Sequence, residues 1–196
     1  GETHPLIAPL AEQKITELPR HVHKKGDHQS GFDGKPLLAA ALQGQDIGLI
    51  SEAGMPAVAD PGSSVVRAAH DLGLSVVPLV GPVSLLLALA ASGLNGQNFA
   101  FVGYLPQDAG ERAARLKQLE SLALKTGQTQ LWIETPYRNA AMLGSLLQSL
   151  NANTRLAIAS GLTLPSASIQ SHTVAQWKKG LKGPDGHTPA VYAIGP

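Results

Sequence analysis

A carboxylate, a phenol and a guanidinium stand within residues 134–138, which read ETPYR. The run TQLWIE before them is typical of a β-strand, so the cluster should follow directly on a strand end. The Glu134 carboxylate can accept hydrogen bonds from ligand hydroxyl or amine groups, and Arg138 can hold a phosphate or a carboxylate. Their spacing equally allows Glu134 and Arg138 to pair with each other across a helix start. Both interpretations stay open at this point.

Residues 48–62, GLISEAGMPAVADPG, form a second candidate. The apolar residues 47–50 predict a buried strand, and the small residues and prolines that follow predict a long loop before a helix. In open α/β sheets, ligands bind at such loops, outside the carboxyl ends of the strands. Small side chains let a ligand approach the backbone, and proline stiffens the loop. A long connection without any function is the alternative.

The third candidate is the sequence VGPVSLLLALAASGL, in which a Gly-Pro turn precedes a very apolar helix ending at Gly93. Ser84 falls in the first turn of this helix, where backbone N–H groups can bind the oxygens of a ligand. A serine that only caps the helix is the competing interpretation.

The elements of the first half alternate between strands and helices. We predict strands at 13–18, 47–50 and 74–79, and helices at 36–43 and from Gly62 to Gly73. This order is typical of a parallel sheet with crossover helices. We place a domain boundary near residues 80–82, which gives an N-terminal α/β domain, 1–81, and a C-terminal α/β domain, 82–196.

The second half mixes the two element types less regularly. Helices are predicted at 111–124, 138–150 and 174–179. The predicted strands are 99–103, 129–134, 154–160, 169–173 and 189–194.

Composition excludes several classes of protein. The hydrophobic content of 43% is enough for real cores, and a net charge of +1 argues against a strongly basic nucleic-acid surface. The absence of cysteine excludes disulfides, thiolate catalysis and cysteine-ligated zinc. The longest apolar run, 83–91, is too short to cross a bilayer, and no signal peptide opens the chain, so we expect a cytoplasmic protein without membrane contact.

The motifs that the sequence lacks exclude further classes of site. His21, His23 and His28 lack the spacing of a zinc pair, and we expect no metal site there. The chain has no phosphate-binding loop of the Walker type, no nucleophile elbow and no dinucleotide-binding fingerprint. An enzyme of this composition would rely on positioning and polar contacts, which favours group transfer from an activated cofactor over hydrolysis.

Four motifs in order resemble the tetrapyrrole methylase superfamily of S-adenosylmethionine-dependent methyltransferases. They are SEAGMPAVADPG at 51–62, VPLVGPVSLLLALAASGL at 77–94, GYLP at 103–106 and IETPYR at 133–138. The branch they resemble most is ribosomal RNA small subunit methyltransferase I, which methylates a 2′-hydroxyl in 16S ribosomal RNA. The resemblance is good over residues 46–151 and looser elsewhere.

The resemblance implies two α/β domains that hold S-adenosylmethionine between them, with a parallel sheet in the first and a mixed sheet in the second, in a homodimer. Ribosomal RNA or a small molecule would accept the methyl group. Carried over position by position, the cofactor-binding residues are Gly54, Met55, Val58, Ser84, Leu85, Glu134, Pro189 and Ala190. Residues to orient or deprotonate the acceptor are Glu52, Glu134 and Tyr137, with Asp60 as a further candidate that can equally stabilise its own Asp-Pro-Gly turn.

Two departures from the family pattern leave alternatives. No counterpart of the family's first strand precedes residue 13, so the first strand is expected to be missing. Residues 159–164 read ASGLTL where the ribosomal branch carries an arginine, a glutamate and a lysine. A tetrapyrrole C-methyltransferase, or a catalytically degenerate member that acts as a binding or scaffold protein, therefore stays an alternative to a ribosomal RNA methyltransferase.

Overall fold

The computed structural model describes residues 9–19 and 31–196. The chain divides into two compact units, Gly1–Gly81 and Pro82–Pro196. The histidine-rich segment with His21, His23 and His28 lies outside the described residues.

The second unit is built on one five-stranded mixed sheet, as the family resemblance implies for this half. Strand β1 runs parallel to β2, whereas β5 is antiparallel to both β2 and β3, and β4 is antiparallel to β3. The spatial order is β1-β2-β5-β3-β4. The strands are β1 (Phe99–Phe101), β2 (Thr129–Glu134), β3 (Arg155–Ser160), β4 (Ser168–Thr173) and β5 (Ala190–Gly195).

The helices agree with the predicted positions except near the N-terminus. The α-helices are α1 (Ser63–Asp71), α2 (Ser84–Ser92), α3 (Ala109–Thr126), α4 (Asn139–Ser149) and α5 (Val174–Trp177). Short 3₁₀ turns cover Leu10–Glu12, Lys35–Leu38, Ala41–Gln43 and Pro136–Arg138. The glycine predicted to end α2 does so, since Gly93 takes the left-handed conformation at φ 71°.

The two faces of the sheet carry side chains of different size, because successive residues of a strand point to opposite faces. One face presents large residues and packs against α3, α4 and α5. Trp132 and Tyr192 stack there with ring centroids 5.8 Å apart, a contact that contributes roughly 0.5–1.5 kcal/mol. The opposite face presents smaller residues, which let α2 pack closely: Leu131, Ala157, Ala159, Val191 and Ala193.

The direction of α2 follows from contacts at its far end. The side chain of Leu94 lies against Gly195 at the end of β5, and the Asn95 carbonyl accepts a 2.9 Å hydrogen bond from the Thr129 hydroxyl at the start of β2. We infer from these contacts at its C-terminal end that the helix runs in the same direction as β5. Its N-terminus points to the opposite edge, where β2 and β3 end and β5 begins. We call this the carboxyl edge and define it by Glu134, Ser160 and Ala190.

The parallel sheet predicted for the first unit is wrong for the residues that the structure describes. Neither 9–19 nor 31–81 contains a strand. A strand needs a neighbour to bond its backbone, and a buried parallel strand hides its side chains on both faces. Instead, the segments 47–50 and 74–79 carry exposed apolar residues: Ile50 is 81% exposed, Val77 72% and Leu79 80%.

The first unit is held by a small helical core. Helix α1 packs Val65, Ala68 and Ala69 against Leu38. The continuous helix predicted at 36–43 is replaced by two 3₁₀ turns. Leu38 is the one fully buried residue of those turns, so packing supplies little to hold a longer helix together. Left-handed Gly44 then ends the segment.

Within residues 9–19 and 31–196, no helix combines the length and the apolar character that a bilayer crossing requires.

Glu120 generates the first prediction, because this buried carboxylate fastens α3 to the turn before β3. Its oxygens accept bonds from the Asn151 backbone N–H, the Asn151 amide and the Thr154 hydroxyl. Glu120→Gln replaces one acceptor by a donor that faces other donors. We expect it to lower the free energy of unfolding by about 1–3 kcal/mol, measured by urea denaturation. Glu111→Gln, on an exposed position of the same helix, is the control and should change it by less than about 0.5 kcal/mol. Equal effects would show that the buried network contributes nothing.

Candidate functional site

The carboxyl edge gathers motifs that are distant in sequence. Across the sheet, Glu134 pairs with Ala190, and Ala190 pairs with Ser160. The Gly103 carbonyl accepts a 3.1 Å bond from Ile133 N–H, which seats the GYLP loop beside the end of β2. The N-terminus of α2 points to the same edge. The structure thus brings together, inside the second unit, the ETPYR and GYLP motifs, the start of α2 from the Gly-Pro motif and the start of the last strand.

Glu134 and Arg138 form an ion pair, which confirms the pairing interpretation. The distance from Glu134 Oε2 to Arg138 Nη2 is 2.9 Å, and the glutamate side chain is fully buried. The other carboxylate oxygen accepts a 2.8 Å bond from the Thr135 backbone N–H. A carboxylate held in this way is not accessible to a ligand. Its role here is to hold the Arg138 guanidinium in place.

Arg138 also binds the backbone of the GYLP loop. Its Nη2 donates to the Leu105 carbonyl at 3.1 Å and to the Pro106 carbonyl at 3.3 Å. Leu105 itself is anchored in the large-residue core at 3% exposure. We call the group Glu134, Arg138, Leu105 and Pro106 the clamp. It fixes the loop after β1 against the turn after β2.

A second arginine supports the same loop from α3. Arg112 is buried, and its guanidinium donates to the Gln107 carbonyl at 2.8 Å, to Pro106 O at 3.4 Å and to the Ser145 hydroxyl at 2.9 Å. In the part of the chain that the structure describes, no carboxylate pairs with it. Sequence reasoning missed Arg112, because nothing in the spacing of α3 distinguishes it from a solvent-facing charge.

A buried asparagine organises the loop that leads into β5. Asn139 is completely buried, and its amide nitrogen donates to the carbonyls of Asp185, at 2.7 Å, and Thr188, at 2.9 Å. Its oxygen accepts the Tyr192 hydroxyl at 3.1 Å. Burial raises the pKa of Tyr192 and the nearby Glu134 charge raises it further, so the phenol stays a hydrogen-bond donor. Sequence reasoning missed this group, for which only the turn-forming PDGH of 184–187 gave a signal.

The predicted residues of the second unit occupy different environments on this edge. Tyr137 is 76% exposed, and Pro189 is exposed just before the buried Ala190. Ser84 is exposed at the first position of α2. The preceding residue, Val83, is extended and gives the helix no side-chain cap, so the first-turn N–H groups are not taken up by one. Leu85 packs in the small-residue core, which leaves its backbone as the part able to meet a ligand.

The predicted residues of the first unit lie together on one loop. Gly54 takes a left-handed conformation at φ 80°, Met55 is half-buried, and Val58 and Glu52 are exposed. Asp60 does not stabilise the turn through its own backbone. Its Oδ2 instead lies 2.8 Å from the Ser51 hydroxyl, across the mouth of the loop.

Backbone strain marks the same loop. Ala57 and Ala59 both take left-handed conformations, at φ 63° and 58°. Each costs roughly 1–2 kcal/mol for a residue with a Cβ. Such outliers concentrate where a loop must hold one shape for a ligand.

Comparison with known proteins identifies the family. The profile described as Tetrapyrrole (Corrin/Porphyrin) Methylases matches residues 3–177. The chain belongs to this family.

Curated relatives point to one branch of these methylases. A ribosomal RNA small subunit methyltransferase I of Mesorhizobium japonicum is 38% identical over 148 residues, which are 76% of this chain and 49% of that protein. The protein of the same name from Vibrio cholerae is 33% identical over 150 residues, 76% of this chain and 51% of its own. The chain thus spans about half the length of the curated relatives it matches.

The fold also resembles that of a solved methyltransferase structure. The crystal structure of the methyltransferase CobJ superposes with a TM-score of 0.53 at 18% identity, covering 83% of this chain and 69% of that one. At this identity the likeness shows a shared α/β fold.

The clamp generates the second prediction. Arg138→Met leaves the Glu134 carboxylate buried without its partner, and we expect a loss of about 3–5 kcal/mol of unfolding free energy. Adding Glu134→Gln removes the buried charge, so the double variant should be more stable than Arg138→Met alone. Urea denaturation of all four members of the cycle gives the coupling energy. Arg115→Met, on an exposed part of α3, is the matched control. A coupling energy of zero would contradict a structural role for the pair.

Asp185 gives a prediction with a defined pH window. Backbone bonds from His187 and Thr188 hold the pKa of its carboxyl below the ordinary value of 3.8. A lowered folded-state pKa contributes stability that is present above pH 3.8 and is lost as the pH falls through the lower folded value. The melting temperature of the chain should therefore exceed that of Asp185→Asn at neutral pH, and the gap should close in acid. A gap of constant size across that window would contradict the assignment.

Proposed function

We propose that the chain is an S-adenosylmethionine-dependent methyltransferase that methylates a ribose 2′-hydroxyl of 16S ribosomal RNA. Membership of the methylase family and the names of the curated relatives support the reaction and the substrate class. The observation that carries the proposal is the carboxyl edge, where residues from three of the four family motifs meet inside the second unit.

The residues on this edge fit the cofactor. S-adenosylmethionine supplies an activated methyl group on a sulfonium, which an acceptor oxygen can attack without further activation of the donor. The first-turn N–H groups of α2 at Ser84 and Leu85 would bind its polar atoms. The backbone around Pro189, Ala190 and Glu134 would form an adjoining wall. The cofactor contacts of Gly54, Met55 and Val58, in the first unit, stay a prediction of the family resemblance.

The proposed catalytic residues divide by their surroundings. Glu52 and Tyr137 are exposed, which suits a group that must meet the acceptor hydroxyl. A base helps such a weak acid only when it lies within hydrogen-bond reach. Glu134 is paired and buried, so we assign it a positioning role through Arg138. Holding the acceptor in line with the methyl group would supply most of the acceleration.

A homodimer in the cytoplasm belongs to the same proposal. Sedimentation of the purified protein tests the homodimer: a mass of twice the monomer supports it, and a single-chain mass refutes it.

A small-molecule acceptor, such as a tetrapyrrole carbon, is the second candidate. The observation that favours it is the loop after β3, where Gly161, Leu162, Thr163 and Leu164 carry no charge. Thr163 is held in a left-handed conformation at φ 73°, so this loop has a defined shape. RNA binding weakens steeply with salt, so a flat salt dependence would favour a small uncharged acceptor over RNA.

Ser84→Asp tests the cofactor site. An acid in the first turn suits the helix dipole, so the fold should be preserved. The added carboxylate competes for the N–H groups proposed to hold the cofactor. Calorimetry should show S-adenosylhomocysteine binding weakened about tenfold or more, the equivalent of about 1.4 kcal/mol of lost hydrogen bonding. Ser121→Asp, an exposed serine of α3, is the control and should bind as the parent does.

Transfer of a labelled methyl group to 16S ribosomal RNA that lacks the modification tests the reaction. Transfer to a ribose hydroxyl supports the proposal. A chain that binds the cofactor but methylates no RNA would refute this acceptor, and a chain that binds no cofactor would refute the methyltransferase assignment.

A further inference from the structure

Two exposed tyrosines flank the clamp. The chain has 3 tyrosines in all, and Tyr192 is in the core. The other two are Tyr104, 58% exposed, and Tyr137, 76% exposed. Both belong to the carboxyl edge, on separate loops. In a chain with only 4% aromatic residues, this places both solvent-facing phenols on one side of one sheet.

The backbone that carries the two rings is rigid. Tyr104 directly precedes Leu105, and Tyr137 directly precedes Arg138, whose guanidinium donates to the Leu105 carbonyl at 3.1 Å. The two tyrosine-bearing loops are therefore joined by the clamp. A tyrosine presents a broad amphipathic surface with only two side-chain torsions to fix, so a rigid backbone makes it an efficient contact group.

A buried arginine beside the Tyr104 loop has no ion-pair partner among the described residues. The Glu134 carboxylate neutralises Arg138, but in residues 9–19 and 31–196 Arg112 has hydrogen bonds and no ion pair. Buried charges are usually paired, and this one is not. The nearby Asp108 carboxylate caps α3 by accepting the Glu111 backbone N–H at 2.9 Å. A guanidinium without a counter-ion behind the loop favours an anionic ligand in front of it.

We propose that Tyr104 and Tyr137 form a stacking site for unpaired nucleobases of an RNA strand, whose phosphates are attracted by Arg112. The inference rests on the proposed function and adds the place where the acceptor strand binds. Stacking on aromatic side chains beside positive charge is the general mode of single-strand recognition. The rings stand open to solvent, whereas a small-molecule site buries most of its ligand, which favours a strand over a compact acceptor.

The first measurement is the binding of a fluorescein-labelled single-stranded RNA to the whole chain. Tyr104→Leu and Tyr137→Leu should each weaken binding about tenfold, because one stacked base is lost. Tyr104→Phe and Tyr137→Phe keep a ring and should bind within about twofold of the parent. Phe99→Leu is the matched control, since Phe99 is 42% exposed at the start of β1, on the opposite edge, and its loss should leave RNA binding unchanged.

The second measurement locates the base directly. RNA that contains 5-iodouridine, irradiated on the unaltered chain, should crosslink to peptides that contain Tyr104 or Tyr137. The slope of affinity against salt should stay the same in the leucine variants, because they remove no phosphate contact.

Failure of this inference can be distinguished from failure of the proposed function. If S-adenosylhomocysteine binds and RNA is methylated, but crosslinks map elsewhere and the leucine variants bind RNA normally, the stacking site is refuted and the methyltransferase stands. If the leucine variants lose affinity for a porphyrin and not for RNA, the nucleobase is refuted as the ligand. Absence of both cofactor and RNA binding by the parent would refute the proposed function and with it the inference.

Discussion

The ion pair between Glu134 and Arg138 is the interaction on which the candidate site depends. It lies where β2 ends, and its arginine holds the carbonyls of the loop after β1. A fully buried carboxylate without this partner would carry a desolvation cost of several kcal/mol, so the pair forms as a unit or not at all. The position of the GYLP loop is therefore set by the same residues that set the turn after β2.

The second constraint is the size of the side chains on the face opposite the clamp. Alanine and valine positions of β3 and β5 allow α2 to pack flat on the sheet. Contacts of Leu94 and Asn95 with the far edge then fix the direction of the helix. Because no side chain caps the start of α2, its first-turn N–H groups stay available to a ligand. These groups and the positive end of the helix dipole face the edge that the clamp organises. A site for an anionic or polar ligand arises from packing on one face and an ion pair on the other.

The elements of the second unit could be predicted from the sequence, but in the first unit only the helix α1 could. The strands β2, β3 and β5 combine strong β-propensity with buried pairing, so local pattern and tertiary context agree. The apolar segments at 47–50 and 74–79 carry the same pattern but have no strand partner in the described residues, and a pattern cannot show whether a partner exists. The Glu134–Arg138 pair was readable from its i, i+4 spacing. Arg112 and Asn139 were not, because their partners are backbone carbonyls distant in sequence.

The most direct test of the whole account is a crystal structure of the chain with S-adenosylhomocysteine. The account predicts the ligand at the carboxyl edge, with polar atoms on the first-turn N–H groups of α2 and contacts to the backbone at Ala190, while the clamp keeps its hydrogen bonds. A ligand bound elsewhere, with this edge unchanged and empty, would contradict the claim that the clamp and α2 together build the methyl-donor site.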